Sequence, residues 1–289
     1  MTDRERIAFR TVIATVFLLL VATSLLFASV QQEEVAQRFV PDRERPVRIE
    51  VRGDGAEVEI ATVREGREGR ARYRFTPNNF EGSLHWDAEE NLLSAVLDVR
   101  NLASDEEGDQ RSDLDILIPR TSTVDLDFSI KGGVLDLNGE GMRFADISVE
   151  MWGGELAAEF PTPSAEPLEH VNIDVKMGEI RIEGLGNLAF DQLDINGFAG
   201  DMRVDFNGSV KRERFARIDL EFGTMTVIVP KGMAVRARIA KWGFLADVSI
   251  PAGWGRDGRY AFSPSSRDQD VELNLDIRGG VGEIRIIER

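Results

Sequence analysis

Residues 113–289 repeat one phrase: apolar and polar residues alternate, a glycine interrupts, and alternation resumes. It reads Val-Asp-Leu-Asp-Phe-Ser-Ile-Lys-Gly-Gly-Val-Leu-Asp-Leu from Val124 and Val-Asn-Ile-Asp-Val-Lys-Met-Gly-Glu-Ile-Arg-Ile from Val171. Taking Gly133, Gly154, Gly178, Gly200, Gly223 and Gly243 as landmarks, the steps are 21, 24, 22, 23 and 20 residues. A near-constant period of this size marks a repeat architecture. One turn has too little apolar surface to close a core, whereas stacked turns bury a continuous one.

The alternation has period two, so each strand turns one face inward and one to water. Inward rows are expected to include Leu126, Ile147, Ile173, Ile195, Ile218 and Leu273. The outward slots hold Asp125, Asp127, Asp174, Asp194, Asp219, Glu221 and Asp276. They recur at similar places in successive repeats, so stacking is expected to align many of them as ladders and to make this face a candidate site for a cationic partner. The simpler reading is a solvated face on which neighbouring Arg and Lys relieve the repulsion. The glycines have a backbone reason: where the chain bends between short strands it needs positive φ or close approach, and glycine supplies both.

The earlier chain divides by composition. Residues 11–30 are 20 consecutive uncharged, mostly apolar residues, long enough at about 1.5 Å per residue to cross a bilayer core. A cleaved signal peptide fits less well, because Ala28-Ser29-Val30 puts a branched residue at the cleavage position. Arg4, Arg6 and Arg10 precede the stretch and Glu33 and Glu34 follow it. Residues 1–10 are therefore expected in the cytoplasm and the bulk of the chain outside it, periplasmic or at the cell surface. Residues 31–46, with Pro41 and Pro46 bracketing charges, read as a juxtamembrane linker. Residues 47–112 read as a small β-region with strands near 47–51, 56–61, 70–75, 82–86 and 92–99, and 113–289 as the repeat solenoid. The expected fold is all-β after a single transmembrane helix.

The formal charge of -16 argues against nucleic acid or anionic lipid as a partner, and 30 of the 35 basic residues are arginine. Cysteine is absent, which removes disulfides, thiol catalysis and cysteine-ligated metal. The acidic run 104–109 lacks the alternating ligands and terminal Glu of a calcium loop. His85 and His170 stand apart without close-spaced partners. No nucleophile elbow or phosphate loop is present, and Phe144 occupies the third-glycine position of the dinucleotide-like turn at Gly139 and Gly141. No catalytic, cofactor or metal residue is nominated. Trp152 and Trp242 each stand directly before a glycine. The simpler reading packs each ring over the glycine of a neighbouring coil, and the functional one exposes it on an edge to dock a glycan or protein. Asn207-Gly208-Ser209 fits a glycosylation sequon but is already explained as a turn.

The stretch from Arg48 to Val99, then Asp113-Leu-Asp-Ile-Leu-Ile-Pro119, then the phrases from Val124 and Phe144, resembles the toast-rack domain of bacterial envelope proteins, including adhesin-like ones. The C-terminal Leu-Asp-Ile-Arg-Gly-Gly-Val-Gly-Glu-Ile-Arg-Ile is also similar to the ending of LiaF-type cell-envelope stress regulators, which carry several membrane helices where this chain has one apolar stretch. The resemblance implies a stack of short strands and no catalytic residues. The expected function is a membrane-anchored, non-enzymatic module that meets an unknown protein or cell-wall partner, in scaffolding, stress sensing or adhesion. The alternative is a glycan-active enzyme on a β-helix, which would need two converging carboxylates.

Overall fold

A computed structural model of the chain describes residues 32–63, 66–100, 112–164, 166–209, 212–241, 245–267 and 269–289. The apolar stretch 11–30, the acidic run 104–109, Trp242 and Gly243 lie outside the described residues. Among the described residues no helix is long and apolar enough to cross a membrane.

The N-terminal part contributes β1 (Glu33–Phe39), β2 (Val47–Gly53), β3 (Ala56–Val63), β4 (Gly69–Phe75), β5 (Phe80–Asp87), β6 (Leu92–Val99) and β7 (Ser112–Pro119). The glycine-punctuated part follows with β8 (Thr123–Ile130), β9 (Gly133–Asn138), β10 (Arg143–Met151) and β11 (Gly154–Glu159). Three long bent strands come next, β12 (Pro167–Glu183), β13 (Ala189–Asp205) and β14 (Arg214–Val229). Then come β15 (Val235–Lys241), β16 (Ala246–Ser249), β17 (Gly255–Asp257), β18 (Tyr260–Phe262) and β19 (Leu273–Glu288). The protein is all-β.

Their pairings form two parallel ladders. One runs β6–β2–β8–β10 and then through the first halves of β12, β13, β14 and β19 to β15. The other runs β7–β3–β9–β11 and through the second halves of the same long strands to β16. Both turn their apolar rows into one shared core. Flanking the bend of β12, Val171, Ile173 and Val175 are buried before it and Ile180 and Ile182 after it. The inward side thus moves from odd to even positions across the bend.

The bend is the glycine landmark. Gly133, Gly154, Gly178, Gly200 and Gly223 stack in register. Gly282 continues the column beside Gly223. Each has φ between 121° and 145°. A Cβ on any of them would lie 1.8–2.0 Å from a carbonyl oxygen of the coil below, so positive φ and close approach both apply.

Two expectations change. The linker expected at 31–46 contains β1, which pairs antiparallel with β4. Phe39 is buried and its ring lies 5.1 Å from Trp86. The dense charge of this segment hid a period-two strand whose Glu34 and Arg38 sit opposite Arg74 and Arg70. The boundary at 112/113 is no break in the core either. β2 and β3 are inserted between β6 and β7 on one side and β8 and β9 on the other. The opposite end mirrors this, with β19 inserted between β14 and the β15–β16 coil. Antiparallel strands cap the stack: β5, β4 and β1 at one end, β18 and β17 at the other. Such capping covers edges that would otherwise offer unpaired backbone groups.

Candidate interaction surface

The nominated carboxylates lie on the outer side of the first ladder and at the glycine bend, but they do not form one acidic row. One rung reads Asn172–Asp194–Arg217–Asp276–Arg238 across consecutive strands, and the next reads Asp174–Asn196–Asp219–Arg278. An amide or guanidinium therefore separates the carboxylates over this part. Asp276 accepts hydrogen bonds from Arg238 at 3.0 Å and Arg278 at 3.1 Å, and Asp194 lies 3.3 Å from His170 Nε2. Toward the N-terminal end carboxylates do meet, as Glu50–Asp127, Asp125–Asp146 and Glu150–Asp174. There Arg52 lies 3.2 Å from Asp127, Arg48 3.5 Å from Asp125 and Lys176 2.7 Å from Asp174. Burial, with the charge of Asp125 beside it, pushes the Asp146 carboxyl above its ordinary range. The nominated carboxylates thus lie in an ion-paired lattice in which Arg and Lys stand beside them, as in the simpler of the two readings.

A true acidic column occurs on the second ladder, where it was not nominated. Glu155, Glu179 and Asp201 are direct neighbours one residue past the glycines. The signal was present in the sequence, in the acid that follows Gly154, Gly178, Gly200 and Gly282. Arg181 donates to Glu179 at 2.6 Å and lies beside Arg203 in a basic rung.

The bend itself carries the apolar exposure. Trp152 is 59% exposed, Met177 54%, Phe198 46%, Phe222 43% and Val281 37%, and each stands one or two residues before a column glycine. The ring of Trp152 therefore does not pack away over a neighbouring glycine. Phe198 and Phe222 meet edge to face at 5.3 Å. With two consecutive residues turned outward at the bend, inside–outside alternation stops, and an apolar side chain there has no interior to enter. Sequence reasoning noticed Trp152 and missed the other four, although their spacing before the glycines was legible.

Beside this ridge lies a groove of about 430 Å³ lined by Trp152, Lys176, Phe198, Asp174, Asp219 and Glu221. It brings together four of the nominated residues. Asp125, Asp127 and Asp194 lie elsewhere in the lattice, and Asp276 lines a different cleft. Burial raises the Asp219 carboxyl above its ordinary value; Arg278 opposes this, and Glu221 and Asp276 add to it.

That second cleft, about 960 Å³, lies near the β18 cap. Its carboxylates are engaged: Asp276 by arginines, Asp191 by Arg212, and Glu213 by the side-chain amide of Asn274 at 3.1 Å.

No family model matches the sequence, and no curated protein matches it. Solved structures do. One is a candidate cell adhesion protein from Clostridium sporogenes at 13% identity, covering 89% of this chain and 100% of that one with a TM-score of 0.42. A second is a candidate adhesin from Bacteroides fragilis at 10% identity, covering 89% and 99%, TM-score 0.42. A third is a candidate lipid-binding protein from Parabacteroides distasonis at 11% identity, covering 90% and 98%, TM-score 0.36.

Proposed function

We propose that this chain is a non-enzymatic interaction module of the cell envelope. The apolar stretch 11–30 anchors it in a membrane, the solenoid stands outside the cytoplasm, and the bend ridge is where a protein partner docks. The observation that carries this reading is the row Trp152, Met177, Phe198, Phe222 and Val281, exposed on successive coils of a stack whose edges are capped. Large side chains gathered in water along one edge mark an interaction site more often than scattered ones do. Asp219 and Glu221 border the rings, so the partner that fits carries apolar side chains flanked by Lys or Arg. A second copy of the chain fits poorly, because it would bring the same carboxylates together. The toast-rack resemblance belongs to the same reading. The enzyme alternative lacks support, since the carboxylates of the larger cleft are held by guanidinium and amide groups.

The test places a photo-cross-linking residue at Phe198 of the full chain in its native cells, with Thr226 as a control position. The expected result is one discrete adduct from position 198, absent in a Trp152→Ser/Phe222→Ser background. Its cross-linked segment maps to apolar residues beside Lys or Arg. No adduct, or adducts only between copies of this chain, would overturn the proposal.

A further inference from the structure

We infer that the cleft near the β18 cap is a binding site for a neutral oligosaccharide. It shares no lining residue with the bend groove, so this inference stands apart from the docking ridge. Its floor is the outer side of the first ladder, where two rungs cross four strands. One rung reads Phe215–Asn274–Arg236–Phe262 and the other Arg217–Asp276–Arg238–Tyr260. Aromatic rings therefore stand at both margins with a polar strip between them. Phe215 is 37% exposed and Tyr260 43%, and the Tyr260 and Phe262 rings lie 6.2 Å apart on one side. Three strand spacings separate Phe215 from Phe262, about 14 Å, which leaves room for more than one sugar ring laid across the strands.

The chemistry of the strip selects the ligand. A pyranose offers an apolar C–H face and a rim of hydroxyls that both donate and accept. Exposed aromatic rings match the first. The second needs donors and acceptors held side by side. Arg236 donates to Asn274 Oδ1 at 2.6 Å, and Asn274 in turn donates to Glu213 Oε1 at 3.1 Å. Arg238 donates to both Asp276 oxygens, at 3.0 and 3.2 Å. These planar groups hold one another in place before any ligand arrives, which lowers the ordering cost of binding. The same pairing speaks against an anionic ligand on this strip, because Arg236 and Arg238 already donate to acceptors of this chain. An extended peptide is disfavoured too. β14, β19, β15 and β18 are laddered to one another, so the floor offers no free strand edge for backbone hydrogen bonds. The cavity volume falls in the range of small-ligand sites.

The test is calorimetric titration of the full chain with cellohexaose, chitohexaose and mannohexaose, with hexagalacturonate as the anionic comparison. At least one neutral hexasaccharide is expected to bind. Phe215→Ala/Tyr260→Ala, at two exposed rings, is expected to weaken it roughly tenfold while leaving the melting temperature in place. Arg236→Ala supplies a second variant from the polar strip, with the same direction expected. Trp152→Ser/Phe198→Ser, in the bend groove, is expected to leave sugar binding unchanged. The inference is overturned if no neutral hexasaccharide binds, if only hexagalacturonate binds, or if Phe215→Ala/Tyr260→Ala binds as tightly as the parent.

Discussion

Gly200 stacks directly on Gly178, and a methyl group added to Gly200 would sit 1.8 Å from the Gly178 carbonyl oxygen. The obstacle is the Gly178 backbone, so no side chain can rotate away to make room. Gly200→Ala is expected to lower stability by about 3 kcal/mol or more, combining the clash with positive-φ strain. Gly232 is the comparison, with φ 85° and nothing within 4 Å of its added Cβ. Gly232→Ala should cost only the conformational strain, roughly 1–2 kcal/mol. Denaturation midpoints of the two variants check this; equal losses would refute the stacked column.

Phe39 distinguishes a strand from a linker. The residue is 2% exposed and its ring packs on Trp86. Phe39→Ala is therefore expected to destabilise the fold by roughly 3–5 kcal/mol. Asp127→Ser, at an exposed ion pair, should change stability by about 1 kcal/mol or less. Thermal melting of both variants reads the contrast. A harmless Phe39→Ala would return residues 31–46 to the role of tether.

Asp219 makes stability depend on pH in a stated direction. Burial raises its folded-state pKa above the ordinary 3.8 of the unfolded chain. Its favourable contribution is therefore complete below about 3.8 and is lost as pH rises through the raised value. Asp219→Asn removes that loss. The melting temperature of the variant relative to the parent is expected to be higher at pH 7 than at pH 3. A difference that is constant across this window, or of opposite slope, would contradict the assigned cause.

Period two and the glycine landmarks were legible in the chain. Leu126, Ile147, Ile173, Ile195, Ile218 and Leu273 are all buried as expected. The strands expected near 47–51, 56–61, 70–75, 82–86 and 92–99 are β2 to β6. These features are local: which side of a strand is apolar, and where a backbone bends through positive φ, are decided by a few neighbouring residues.

Register and order were decided elsewhere. Leu126 and Ile147 share one rung, while Ile173, Ile195 and Ile218 occupy the next, and Leu273 faces Val235 in a third. That offset sets Arg217 between Asp194 and Asp276, so these two outward carboxylates are not neighbours. The insertions of β2–β3 and β19 join segments far apart in the chain, and period two is satisfied equally by any stacking order. What selects this one is the joint fit of side chains and charges on neighbouring coils, a sum over residues distant in sequence. The exposure of Trp152 has the same origin. Alternation assigns a side to each strand residue, but only the assembled bend shows that the residues before the glycines have no interior to enter.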